Sequence, residues 1–317
     1  AWAVRQADLL HNRRDPQGRP TVGGRWGGHY LRAPHIYWML EERHGDRLKR
    51  IGEIADVRRG ITTGANRFFF LDERRLAEWG IEEEFLAPVL KSPRGHKRVW
   101  LEAGREGVGY VFLCHKGRDE LRGTRALDYI RHGEKLGYHL RPTCMSRRRW
   151  YDLGRRSSAS VHCNYLVDQV MRFFASARPL LASDSFQEIH SAVGPTLVAA
   201  AGNSAICQLS VNVFGRSNFG GGLLKVQTYE VRDLLIPDPA LLRQEVQGAF
   251  QGAGLLALDG PDRRALDGIV FDALELTAGE REAVYEALSD LVSKRLSKAR
   301  RSAAPGAVGG WSEAEDG

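Results

Sequence analysis

The sequence predicts an α+β fold: a strand-rich middle flanked by helices, followed by a helical extension. Three observations predict it. Between residues 51 and 231, short apolar segments are punctuated by glycine-containing turns. After Asp238 the apolar residues recur at helical spacing instead. The 317 residues, 43% hydrophobic and 27% charged, can bury one large core or two modest ones.

Residues 11–29, "HNRRDPQGRPTVGGRWGGH", are rich in Gly, Arg and Pro with little periodicity and read as a connecting segment. A helix is expected after Pro34, with Ile36, Met39 and Leu40 on one face. "IGEIADVRRGITTGANRFFFL" (51–71) reads as strand, turn, strand, with Gly60 and Gly64 as punctuation. "VGYVFLCHK" (108–116) and "RPLLASDSFQEIH" (178–190) read as further strands. "GPTLVAAAGNSAICQL" (194–209) reads as one buried helix of small residues with Pro195 in its first turn. "GGGLLKVQTYEV" (220–231) returns to strand. The next helix starts at once, with Asp238 as cap, Pro239 at the first position, and Leu242, Val246 and Phe250 four residues apart. Leu266, Ile269, Val270 and Leu274 form another stripe. Thr277 and Glu280 are spaced as a capping box, and Val284, Leu288, Leu291, Val292 and Leu296 follow as the apolar face of a long helix. The tail, 301–317, is small, Gly-rich and acidic, and is expected to be disordered.

Charge narrows the function. The net charge is +7. Residues 91–160 hold seventeen Lys or Arg against seven Asp or Glu, a local balance of +10, so the remainder sums to −3. So concentrated a field is the footprint of a nucleic-acid binder. "TCMSRRRWYDLGRR" (143–156) is the densest part. Arg147, Arg148 and Arg149 suit phosphates or guanine edges, and Trp150 and Tyr151 can stack on a base or brace the loop. The turn 58–67 carries a second set of donors and acceptors: Arg58, Arg59, Thr62, Thr63, Asn66 and Arg67. Set on a firm aromatic segment, it is a candidate base-reading loop. Lys97, Arg98, Arg216, Asn218 and Lys225 complete the candidate DNA contacts.

Other chemistries find little support. The sequence has no GxxxxGK[ST], HExxH or GxSxG motif. The four cysteines, Cys114, Cys144, Cys163 and Cys207, form no CxxC pair. They are expected to be reduced thiols of a cytoplasmic protein, and no metal site is expected. No apolar run spans a membrane. Asp184, Glu188 and His115 sustain one alternative, a metal-dependent nuclease or other nucleic-acid-processing enzyme. The chain begins at Ala1 rather than Met, as an excised or processed piece would.

"ADVRRGITTGANRFFFL" resembles the start of the target-recognition region of TaqI-like N6-adenine DNA methyltransferases, a group that includes fused restriction–modification enzymes. "LAPVLKSPR", "YIRHGEKLG", "RRRWYDLG", "LASDSFQEI", "GNSAICQL" and "GRSNFGGGLLKVQTYEVRDLLIPDP" follow in the same order, and the resemblance covers roughly residues 30–300. It implies a twisted mixed-sheet DNA target-recognition domain over 50–238 and a helical region over 239–300. Residues 1–49 would then be a linker and connecting helix from a missing catalytic domain. The resemblance also implies double-stranded DNA as partner. The catalytic [NDS]PP[YFW] tetrapeptide and the cofactor glycine motif of that group are absent from this sequence. Hence no cofactor is expected in this chain, and S-adenosylmethionine is assigned to a partner catalytic domain or subunit.

Overall fold

The computed structural model describes residues 31–101, 108–216, 222–242 and 245–302, with side chains to position 300. The chain opens with α1 (His35–His44), β1 (Leu48–Arg50), the single turn α2 (Ile51–Ile54) and β2 (Ala55–Arg59). Then come α3 (Asn66–Phe69), β3 (Phe70–Leu71), α4 (Glu73–Trp79), β4 (Leu86–Leu90), β5 (Trp100–Leu101) and β6 (Val108–Phe112). Helices α5 (Arg125–Lys135) and α6 (Pro142–Met145) lead into β7 (Ala159–Asn164), β8 (Leu166–Val167), β9 (Phe173–Ala182) and β10 (Phe186–Ser191). After α7 (Pro195–Asn203) and α8 (Ala205–Phe214) come β11 (Leu224–Lys225), α9 (Thr228–Asp233) and β12 (Leu235–Pro237). Last are α10 (Glu245–Gly252), α11 (Pro261–Ala273) and α12 (Ala278–Ser302).

The architecture is α+β around a twisted, mixed, eight-stranded sheet of order β2-β10-β7-β9-β4-β6-β3, with β5 also paired to β9. The β4–β9 and β5–β9 pairs are parallel, and the rest are antiparallel. Two large clusters of side chains use this sheet differently. Val57, Val161, Cys163 and Ile189 share a core with the small and branched residues of α7 and α8 and with Phe250, Leu266, Val270, Val284 and Leu288 of the last helices. Phe68, Phe69, Phe70, Val89, Val111 and Phe112 join Tyr129 and Trp150 in an aromatic cluster drawn almost wholly from residues 61–153.

Segments far apart in sequence close the helical side. β1 pairs with β12. Arg47 donates to the Ala273 carbonyl at 3.0 Å and to Glu275 at 2.7 Å. The aliphatic core takes residues from α1, from the sheet and from α10–α12 alike, so it runs across position 239 without a break. The wholly buried Arg263 donates to the carbonyls of Ala257 at 3.0 Å, Leu256 at 2.7 Å, and Asn203. Asp267 accepts from the Ala205 N–H at 2.7 Å and the Tyr285 hydroxyl at 3.1 Å. Burial pushes its carboxyl up to about 6, against the pull of Arg263.

Several elements differ from expectation for local reasons. Most of the "RFFF" run, Arg67 to Phe69, is a helical turn, with Phe68 and Phe69 donating to the Ala65 carbonyl at 2.9 and 3.0 Å, and Phe70 opens the strand β3. A strand would turn alternate rings to opposite faces, whereas the turn buries Phe68, Phe69 and Phe70 together. The 178–190 segment is not one strand but the end of β9, a tight turn and β10. Residues 194–209 are not one helix. Ser204, with extended ψ of 155°, ends α7, and its side chain caps α8 by accepting from the Cys207 N–H. Among the described residues of 220–231 only Leu224 and Lys225 are strand; Glu230 accepts from the Gln227 N–H at 2.6 Å and starts α9 instead. Asp238 caps a 3-10 turn, Pro239–Leu241, and the longer helix begins at Glu245. Pro195 does open α7, and Thr277 and Glu280 do form a capping box. Among the described residues no single helix is long and apolar enough to cross a membrane; α7 and α8 reach that length only together, bent by 64° and buried.

Candidate nucleic-acid interface

The turn that joins β2 to α3 is built to hold one shape. Gly60 lies so close to the Ser183 carbonyl that a Cβ would stand 2.1 Å from it. Gly64 has φ of +75°, the left-handed region, and packs on Thr143. The Thr63 hydroxyl donates to Asn66 at 2.5 Å and accepts from the Ala65 N–H at 3.1 Å. Three side chains from residues 141–147 then grip the turn's carbonyls. Arg147 donates to Thr62 at 2.8 Å and Thr63 at 2.7 Å, Cys144 to Thr63 at 3.7 Å, and Arg141 to Gly64 at 3.4 Å. Burial pushes the Cys144 thiol up, which keeps it protonated and able to donate.

The aromatic cluster fixes the floor. Phe68 stacks on Tyr129 with ring centres 4.6 Å apart and meets Trp150 at 4.7 Å. The Tyr129 hydroxyl donates to the Phe68 carbonyl at 2.6 Å, and the Trp150 indole N–H to Glu134 at 2.9 Å. Thr62, Asn66 and Arg67 stay exposed above this floor, with exposed Arg148 carried on the clamping segment.

The tip of the β9–β10 hairpin borders the turn. The Ile61 N–H donates to Ala182 at 2.7 Å, and the Asp184 N–H donates back to Ile61 at 3.1 Å. Thr62 donates to Asp184 Oδ2 at 3.2 Å, and the Arg59 guanidinium stands 4.0 Å from the same oxygen. Arg59 also lies 4.0 Å from the centre of the Tyr165 ring, and the Lys225 ammonium 5.1 Å from it. Ser183 donates to the Lys91 carbonyl at 2.6 Å, so the exposed Lys91 leaves from the same end of the sheet. Arg59, Thr62, Asp184 and Lys225 thus meet at the hairpin tip, with exposed Asn66 and Arg67 on the same turn, Arg148 beside its clamp, and the Lys91 side chain passing over Gly109 of β6.

The other candidates have different positions. Thr63, Trp150 and Tyr151 are buried and serve as supports, so neither ring is free to stack on a base. Arg147 is spent on carbonyls, and Arg149 binds the His115 carbonyl and Asp152, both at 2.7 Å. Arg58 alternates to the opposite sheet face from Arg59 and pairs with Asp56 at 2.7 Å and Ser157 at 3.0 Å. Arg216 bonds Glu230 at 2.6 Å and Tyr229. Lys97 and Arg98 are exposed on the loop after β4. Asn218 lies outside the described residues.

The residues of the nuclease alternative do not converge. His115 Nδ1 pairs with Asp152 at 2.7 Å, while Glu188 is buried and accepts from the Ala182 N–H at 3.2 Å. Burial pushes Glu188 up to about 7 and pushes its neighbour His190, 3.7 Å away, down. A carboxyl that resists ionising is a poor cation ligand. No group of three or more His, Cys, Asp or Glu suited to a metal occurs among the described residues. Sequence reasoning missed Tyr165, Lys91 and Arg141 as parts of the site and gave Asp184 another role. Asp184, inside "LASDSFQEI", and Lys91, inside "LAPVLKSPR", lay within motifs of the resemblance, whereas Tyr165 and Arg141 lay in none.

Comparison with known proteins bears on the fold and the family. The chain is 25% identical to Type II methyltransferase M.AccI of Acinetobacter calcoaceticus over 150 residues, 44% of this chain and 27% of that protein. Its fold is similar to that of the type IIG restriction endonuclease BpuSI, with a TM-score of 0.60 at 17% identity, over 88% of this chain and 35% of that one. It is also similar to the Type IIL restriction-modification enzyme MmeI, solved in complex with DNA, with a TM-score of 0.50 at 10% identity, over 77% of this chain and 36% of that one. The chain therefore spans about a third of the length of these relatives. The family described as the C-terminal domain of Type II methyltransferase M.Eco57I matches residues 23–255, well over half the chain. The chain belongs to this family of C-terminal methyltransferase domains.

Proposed function

We propose that this chain is the sequence-specific, double-stranded-DNA-binding region of an N6-adenine DNA methyltransferase of a restriction–modification system. The observation that carries the reading is the clamped turn. Three donors fix the carbonyls of Thr62, Thr63 and Gly64, so the exposed Thr62, Asn66 and Arg67 are offered on a preorganised loop. Base reading needs such a loop, because bidentate contacts tolerate little positional error. Arg59, Lys91, Lys225, Lys97 and Arg98 supply positive charge for phosphates.

Methyl transfer belongs in this reading to a separate catalytic domain, in the same polypeptide or a partner subunit, which holds S-adenosylmethionine. One helix start of the kind that can hold an anionic group is closed by the chain's own side chains. At the broken α7–α8 junction the free N–H groups are already taken, Ala205 by Asp267 and Cys207 by Ser204. The adenine would be flipped out of the duplex into the catalytic domain while this chain holds the flanking sequence.

The test is duplex binding across a salt series, followed by selection from a randomised duplex pool. With about five phosphates neutralised, log affinity should fall against log salt with a slope of about −4 to −5. One sequence should be enriched. Binding indifferent to salt, or a pool that stays random, overturns the reading.

A further inference from the structure

Asp184 is out of place on a surface that attracts phosphates. Its carboxylate is one-third exposed beside Arg59, which shares the Tyr165 ring with Lys225, and an acidic group there repels the DNA backbone. The fold nonetheless aims it. The hairpin tip is fixed by the Asp184 N–H to Ile61 bond, and Thr62 and Arg59 both engage Oδ2. Oδ1 carries no hydrogen bond among the described residues, and is left as an acceptor beside the clamped turn.

Resting on the DNA-binding reading, we propose that Asp184 is a specificity-determining residue that accepts from the N4 amino group of a cytosine in the major groove. An ionised carboxylate can only accept. Guanine shows two acceptors in that groove and repels it; thymine shows an acceptor and a methyl; adenine sets its one amino group beside the acceptor N7. Cytosine alone shows a donor with no acceptor of its own next to it. Thr62 and Arg59 act as positioning residues: they hold Oδ2 and so orient Oδ1.

The experiment is selection of the full chain and of its Asp184→Asn and Asp184→Ala variants on one randomised duplex pool, with affinities then measured on the selected duplexes at fixed salt. Asp184→Asn keeps the size of the side chain and can still accept from Thr62, so the turn is retained. In the unmodified chain one position should demand cytosine. In both variants that position alone should relax, by roughly five- to hundredfold, the range expected of one good base contact. Affinity for random duplex should rise, because a like charge has gone. A cytosine preference that survives both variants overturns the proposal while leaving the DNA-binding reading intact. A uniform loss of preference at all positions also overturns it, since that marks a purely structural role. If the unmodified chain selects no sequence, the DNA-binding reading fails and this proposal falls with it.

Discussion

The two large clusters pack opposite ends of one sheet with different materials. The cluster under the clamped turn is aromatic, with Phe68 in contact with Phe69, Phe112, Tyr129, Tyr138 and Trp150. The cluster under α7, α8 and α11 is aliphatic and hides polar fasteners, Asn203, Gln208, Arg263 and Asp267. Aromatic rings give broad contacts with few rotatable bonds, which suits a floor that must fix a loop. Aliphatic packing with internal hydrogen bonds joins distant segments, which suits a scaffold. The difference predicts that damage to the first cluster shows in recognition and damage to the second in stability.

The largest expected effects come from breaking each cluster at its centre. Arg263→Ala should cost about 3–5 kcal/mol of unfolding free energy, because three carbonyls and Asp267 lose their buried partner. Where the variant remains folded, its preferred DNA sequence should be unchanged. Phe68→Ala should cost about as much, roughly 3–5 kcal/mol, and should also flatten the difference between selected and random DNA. Urea titrations paired with competition binding measure both. Equal loss of sequence preference in the two variants would erase the distinction.

A gentler comparison uses two helical glycines, each beneath a ring. A Cβ on Gly133 would lie 2.5 Å from Phe68, and one on Gly202 would lie 2.5 Å from Phe173. Glycine to alanine inside a helix ordinarily stabilises by up to about 1 kcal/mol. Here both changes should destabilise instead, by roughly 1–3 kcal/mol of overpacking, and only Gly133→Ala should also disturb DNA discrimination.

Stability should also depend on pH through Glu188. Its folded pKa, about 7, lies above the 4.5 of an ordinary glutamate, because burial opposes ionisation. The folded state therefore keeps a proton that the unfolded state releases. The contribution is fully present below about 4.5 and is lost as pH rises through 7. A decline of about 1–2 kcal/mol between pH 5 and 8 is expected, and Glu188→Gln should reduce it. Matching pH profiles for the two proteins would assign that decline elsewhere.

The smallest stability effect separates clamp from reader within one tripeptide. Arg147→Ala frees the carbonyls of Thr62 and Thr63 and should cost about 1–2 kcal/mol along with sequence discrimination. Arg148→Ala should change stability by less than about 0.5 kcal/mol while weakening discrimination alone. Differential scanning calorimetry beside competition binding resolves the pair.

Much of this was legible in the chain. The capping box at Thr277, Pro195 at the start of α7 and the stripe of α12 are decided by neighbours three or four residues away, and sequence displays such neighbours directly. The turn at 61–67 announced itself through Gly64 and its hydroxyl and amide side chains. What stayed hidden was decided at long range. Periodicity cannot show that Arg141, Cys144 and Arg147 return some 80 residues later to grip that turn, which converts Arg147 from a candidate contact into a brace. The break at Ser204 is reinforced at the next residue, Ala205, by Asp267, 62 residues onward from it. The three phenylalanines have high strand propensity, but burying all of them at once favoured a helical turn for Phe68 and Phe69, with Phe70 left to the strand.

The aromatic region is built mainly from the stretch of chain between β2 and β7, within which Val99 belongs instead to the aliphatic core. Apart from Leu181, the buried members of that cluster lie between Ile61 and Leu153. In genetic terms the braced loop, its floor and its clamp occupy one uninterrupted stretch of reading frame. Two crossovers, one on either side, would exchange that block whole between related genes. Loop and clamp would travel together, while Asp184 would stay behind on the β9–β10 hairpin and Val99 would still have to fit the aliphatic core. Under the DNA-binding reading proposed above, such an exchange would replace the readers of the turn in one step, whereas point mutation would have to pass through turns that have lost their grip.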